Sequence, residues 1–87
     1  MIVYVVISEG ILGNGGSGDH AIEGLYSTLD EAGKVINKFR DEWRAKEGIT
    51  TLQESWSKNY EYYILYTNRF GATFRKRYHI EDHEMAV

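Results

Sequence analysis

Only one stretch of this 87-residue chain carries helical periodicity, and the runs around it are rich in strand-forming residues. Leu29, Ala32, Ile36, Phe39 and Trp43 recur at spacings of three and four, with Val35 beside them. At 3.6 residues per turn, such spacing makes one apolar stripe along a helix. Lys34, Lys38, Asp41, Glu42, Arg44 and Lys46 fill the other faces, and Glu42 with Lys46 is an i,i+4 pair of the favourable sense. Thr28 and Glu31 match a capping box ahead of the stripe, and Gly48 is expected to end the helix at C′. A single stripe can cover one face of a sheet and no more.

The remaining segments supply that sheet. Ile2-Val3-Tyr4-Val5-Val6-Ile7 is apolar and β-branched nearly throughout, as in a strand buried on both faces and placed centrally. Ala21 to Tyr26 reads as a shorter second strand, in which Gly24 marks a bulge. Residues 49–59 are ambiguous, with Ile49-Thr50-Thr51-Leu52 able to start a strand and Trp56 set in polar surroundings. Tyr60 to Thr67 is strongly strand-forming. Asn68-Arg69-Phe70-Gly71 reads as a tight turn with Gly71 as its left-handed residue. A last strand follows from Thr73 to Ile80, with Phe74, Lys76, Tyr78 and Ile80 on one face and Arg75, Arg77 and His79 on the other. The expected fold is one α+β domain over 1–87. Its mainly antiparallel sheet has four to five strands, with the helix packed on one face in the order β–β–α–(β)–β–β.

A chain this short buries only about 60–65% of its unfolded surface, so its stability margin is thin. With no cysteine, neither a disulfide nor a thiolate metal site can add to it. Seven Tyr, two Trp and three Phe exceed what one small core needs, which favours a core extended across a homodimer interface. Met1 leads directly into a strand-like run without a basic leader, and that run is too short to span a bilayer. The expectation is a cytoplasmic protein with no membrane partner. A net charge of −3 gives no general nucleic-acid signal.

Charge is distributed unevenly. Residues 1–27 hold Glu9, Asp19 and Glu23 and no Lys or Arg. Near the other end, Arg69, Arg75, Lys76 and Arg77 precede the acidic Glu81, Asp82 and Glu84.

Four features invite a chemical reading. Five glycines fall within Gly10–Gly18, directly after the first strand, where bare N–H groups could cradle a phosphate. A P-loop would need a lysine there, and none precedes Lys34; a dinucleotide site would need a helix immediately after the glycines. The loop is therefore read as a flexible crossing. Gly13, Asn14, Gly15 and Gly16 are the positions that could adapt to a partner.

The segment His79-Ile80-Glu81-Asp82-His83-Glu84 packs five potential metal ligands into six residues, but the segment itself lacks a second anchor, so no metal and no cofactor is assigned. Ser17 lies beside Asp19 and His20, yet sequence adjacency does not make a triad, and no catalytic residue is assigned. Finally, Arg69 to His79 interleaves cations with aromatics. Arg69, Phe70, Arg75, Lys76, Arg77 and His79 are the candidate partner- or ligand-binding residues. They would suit stacked bases and phosphates, while the plainer reading is an edge strand whose charges block aggregation.

The opening Val-Tyr-Val-Val strand, the glycine-rich crossing, Glu-Gly-Leu-Tyr-Ser-Thr and a helix opening on Asp-Glu-Ala resemble, in layout, small uncharacterised proteins of phages and mobile elements. The resemblance covers about the first half of the chain. It implies a host-directed inhibitor of the anti-defence type, or a module that sequesters a nucleotide signal. Residues and resemblance together lead to the expectation of a non-catalytic binding protein that occupies a host protein's surface. The alternatives are, second, sequestration of a nucleotide or short nucleic acid on the basic aromatic last strand and, third, a small enzyme.

Overall fold

Strand-forming and helix-forming runs separate along the chain as six elements: β1 (Ile2–Leu12), β2 (Asp19–Tyr26), α1 (Leu29–Arg44), β3 (Ile49–Ser57), β4 (Glu61–Asn68) and β5 (Thr73–Glu84). The computed structural model describes residues 1–12, 19–57 and 60–85. All five strands join one antiparallel sheet in the order β2-β1-β5-β4-β3, and α1 lies on one face of it. This is the expected α+β architecture, and the ambiguous segment after the helix is a full strand.

The strand order corrects one expectation. β5 is the middle strand, paired with β1 from Ile2↔Glu84 to Leu12↔Phe74 and with β4 from Tyr62↔Tyr78 to Thr67↔Thr73. Its cations therefore do not guard an edge; β2 and β3 are the edges. β1 is an interior strand, as its double-sided apolar character requires, with Val5 and Val6 buried on opposite faces.

Local signals set the boundaries. The Thr28 hydroxyl accepts from the Glu31 N–H at 3.2 Å, the first half of the capping box. At the other end, the helix stops at Arg44 with Ala45 as its cap, whose N–H reaches the Asp41 carbonyl at 3.1 Å. Gly48 is thus not C′. Its φ of +82° instead turns the chain into β3, so the glycine serves the entry to a strand rather than the exit from a helix. The β4–β5 turn forms as expected: Asn68 Oδ1 accepts from the N–H groups of Phe70 and Ala72 at 2.9 and 3.0 Å, and Gly71 takes φ +83°.

The core lies between α1 and the even-numbered residues of β1, β4 and β5. Val6, Ala32, Ile36, Tyr62, Ile64 and Tyr78 are buried, and Val35, Phe39, Trp43 and Tyr66 pack against them. The Phe39 and Tyr78 rings stack at 4.5 Å and 9°, and the Trp43 indole donates to the Tyr78 hydroxyl at 2.9 Å. Tyr66 stacks in turn on Phe74. Most of the aromatic surplus is therefore turned inward, which removes the composition argument for a dimer. The ring of Tyr60 packs directly on Gly33, where a side chain would collide with it.

Edge strand β3 is fastened to the helix by side chains. Arg44 makes a bidentate contact with Glu54 at 2.8–3.2 Å, and the buried Tyr62 hydroxyl donates to the same carboxylate at 2.7 Å. These bonds hold the Glu54 carboxyl below its ordinary value, with the Arg44 contact the largest cause. Burial pushes the Tyr62 phenol up, and Glu54 adds to that shift. The Trp56 indole donates to Asn37 at 3.1 Å, with the Arg40 guanidinium over its ring.

Candidate functional site

Strand alternation sends the odd-numbered residues of β1, β4 and β5 to the face away from the helix. Val3, Val5, Ile7 and Glu9 of β1 stand there beside Arg75, Arg77, His79, Glu81 and His83 of β5. Glu61, Tyr63 and Leu65 of β4 continue the surface.

β2 joins this face through its irregularity. The register runs Leu25↔Val5, Gly24↔Val6 and then Ile22↔Ile7, so Glu23 is the extra residue of a bulge beside Gly24. Strict alternation from Tyr26, which packs on the core, would have placed Gly24, Ile22 and His20 on the helix side. The bulge instead turns Ile22 and His20 to the open face, opposite Ile7 and Glu9, while Glu23 reaches the buried Ser8 hydroxyl at 2.7 Å. Leu25 stands on the open face as well; Ile22 and Leu25 are 69% and 61% exposed.

Charged groups cross this face as an alternating chain. Arg77 Nε donates to Glu61 at 2.6 Å, and Arg77 Nη1 lies 3.8 Å from Glu9 Oε2. The other Glu9 oxygen is 3.6 Å from His79 Nδ1 and 3.8 Å from His20 Nδ1. On its far side His79 Nε2 approaches Glu81 Oε1 at 3.4 Å, and Glu81 Oε2 meets His83 Nε2 at 3.3 Å. The bonds to His83 and His79 hold the Glu81 carboxyl below its ordinary value. Ile7, Glu9, His20, Ala21, Ile22, His79 and Glu81 line a shallow depression of about 340 Å³. Within it His79 Nδ1 is buried without a hydrogen-bond partner.

The six candidate residues at the end of the chain are therefore divided. Arg75, Arg77 and His79 share the open face, as alternation predicts, but Lys76 lies on the helix side with its ammonium 5.6 Å from the Tyr78 ring. Arg69 and Phe70 sit on the β4–β5 turn; Phe70 is 87% exposed, and Arg69 reaches back to Gly48. The stripe of cations is not a free basic surface, because Glu9, Glu61 and Glu81 interleave with it. Gly13, Asn14, Gly15 and Gly16 lie outside the described residues.

Sequence reasoning did not assign Glu9, Glu61, Ile22 or Leu25 to this surface. Glu9 carried one usable signal, since it falls in phase with Val3, Val5 and Ile7; its partners come from strands distant in sequence. His79, at the start of the histidine-rich tail, meets Glu9 across the sheet, and His20 approaches the same Glu9 oxygen from β2. No helix among the described residues is long and apolar enough to cross a membrane. Comparison with protein families, with curated proteins and with solved structures finds no match to this chain.

Proposed function

We propose that this chain is a non-catalytic binding protein that takes a protein partner on the open face of its sheet. In this reading it acts by occupying the partner's surface, as a phage-type inhibitor of a host protein would. The observation that carries the reading is the uncovered sheet face, where exposed Ile22 and Leu25 lie beside a chain of paired charges. An apolar patch bordered by polar groups is the usual composition of a protein interface. Burying it gains hydrophobic free energy, while the alternating Glu, Arg and His side chains set orientation and exclude mismatched partners. The same composition argues against phosphate recognition at Arg77, whose guanidinium already faces the carboxylates of Glu61 and Glu9.

The test compares the untagged chain with the double substitution Ile22→Asp, Leu25→Asp. Both side chains are exposed, so the variant should keep its circular dichroism and melting profile. Immobilised wild type is expected to retain a stoichiometric partner from bacterial lysate, and the double variant to lose it. Light scattering on the isolated protein reports whether that partner is a second copy. A monomer that retains nothing, or a variant that captures the same protein equally well, defeats the reading.

A further inference from the structure

We infer that β3 is a pairing edge, through which two copies of this chain join as an antiparallel, two-fold-symmetric dimer. A strand with a neighbour on one side only leaves alternate N–H and C=O groups pointing outward, and another extended strand is what satisfies the whole row. β2 and β3 are the two such strands of the sheet. They are guarded differently.

β2 carries Asp19 and Glu23 with no lysine or arginine, and a bulge at Glu23 breaks its ladder midway. Two copies joined there would bring carboxylates together, and like charges across a strand pair destabilise it. β3 runs Ile49-Thr50-Thr51-Leu52-Gln53-Glu54-Ser55-Trp56-Ser57, without the lysines or prolines that keep an edge single. Its one charge is turned back to its own helix, since Glu54 is held by Arg44 and accepts from the Tyr62 hydroxyl. Every residue from Thr50 to Trp56 is exposed, including the apolar Leu52 at 56% and Trp56 at 43%. Among the described residues, no strand lies outside β3.

The register selects how two copies meet. β3 has its own bulge at Leu52, because Thr51 pairs with Tyr66 and Gln53 with Leu65. That bulge lies toward the start of the strand and leaves Gln53 to Ser57 as a regular run. The two-fold register that uses all of this run sets Ser55 opposite its own copy, Gln53 opposite Ser57 and Glu54 opposite Trp56. Gln53, Ser55 and Ser57 share the open face, uncharged and able to hydrogen-bond across the axis. On the helix side, Glu54 of each copy meets Trp56 of the other, and the Arg40 guanidinium lies 4.6 Å over that ring. A carboxylate thus faces a guanidinium-capped ring twice, once on each side of the axis. That complementarity, with no like charges at the axis, selects a second copy as the occupant.

A pairing run this short buries less surface than a standard interface, so the dimer is reversible and depends on concentration. It joins two five-stranded sheets into one, with both helices on the same side and the two open faces side by side. The inference rests on the edge alone and is independent of the partner reading above.

The experiment is sedimentation of the untagged chain from about 10 μM to about 1 mM, the range of weak association. The mass should rise toward that of a dimer. Ser55→Lys sets two ammonium groups opposite each other at the axis and should weaken association by about tenfold or more. Ser55 is exposed, so circular dichroism of this variant should match the wild type. Ile22→Asp, Leu25→Asp, on the opposite edge, should leave the dimer intact. Hydrogen exchange gives a reading that needs no variant: amides of residues 53–57 should slow as concentration rises, while those of β2 should not. A monomer throughout the range overturns the inference, as does a dimer that Ser55→Lys leaves unchanged or whose added protection falls outside β3.

Discussion

The two faces of one sheet carry different loads. Against α1, the even-numbered positions of β1, β4 and β5 present Val6, Tyr62, Ile64 and Tyr78, all buried, with Phe39, Trp43 and Tyr66 closing around them. A few side chains away, the odd-numbered positions of the same strands present Glu9, Glu61, Arg77, His79 and Glu81 in contact with one another. Burial stabilises the first face through apolar contact and ring stacking, and each polar atom there needs a partner such as the Trp43–Tyr78 bond. Arg77 and Glu61 on the second face are nearly half-exposed, so their ion pair contributes little to stability and is free to serve recognition. The fold rests on one face, and the candidate chemistry lies on the other.

That contrast can be broken most severely at Ile36, which is fully buried. Ile36→Ala should lower the unfolding free energy by about 2–5 kcal/mol, whereas Ile22→Ala on the open face should change it by roughly 0.5 kcal/mol or less. Urea denaturation of the two variants measures the difference; comparable losses would mean that the open face is covered by something in solution.

Gly33→Ala is a finer probe. Alanine favours a helix over glycine by about 1 kcal/mol, but here its methyl would meet the Tyr60 ring. Over-packing of this kind costs about 1–3 kcal/mol, so the net effect should be destabilising and visible as a lower melting temperature. A rise would show that Tyr60 yields easily.

The smallest effect is expected at the clip between β3 and the helix. The Glu54 carboxyl is held below its ordinary value by Arg44 and Tyr62, so it favours the folded state above the unfolded carboxylate range. That contribution is lost as pH falls through the lowered folded value. Glu54→Gln should therefore melt lower than the wild type at neutral pH, and the two curves should converge as the pH falls below the ordinary carboxyl value and through the lowered folded one. A gap that persists at low pH would assign the effect to packing instead.

Much of this was legible along the chain because it depends on neighbours a few residues apart. The stripe from Leu29 to Trp43 announces α1, Thr28 and Glu31 mark its start, and Asn68 with Gly71 marks the final turn. Alternation from Thr73 onward divides Lys76 and Tyr78 from Arg75, Arg77 and His79, as the structure has it. The helix end was misplaced because a glycine near the end of a helical run has two uses, and Gly48 serves the entry to β3. The aromatic surplus suggested an interface, but Phe39, Trp43, Tyr66 and Phe74 fill the space above the middle strands.

Periodicity and capping are local, so the amino-acid order was enough to establish one helix, its strands and the two-faced pattern of each. Strand order is not local. That the last strand lies in the middle, between the first and the fourth, depends on backbone pairing between residues as distant in sequence as Ile2 and Glu84. The bulge at Glu23 is decided in the same way, by the fit of β2 against β1, and it turns His20 to the open face. Only those two tertiary choices bring His20, Glu9 and His79 together, because each strand carries one member of the group and none carries the reason for it.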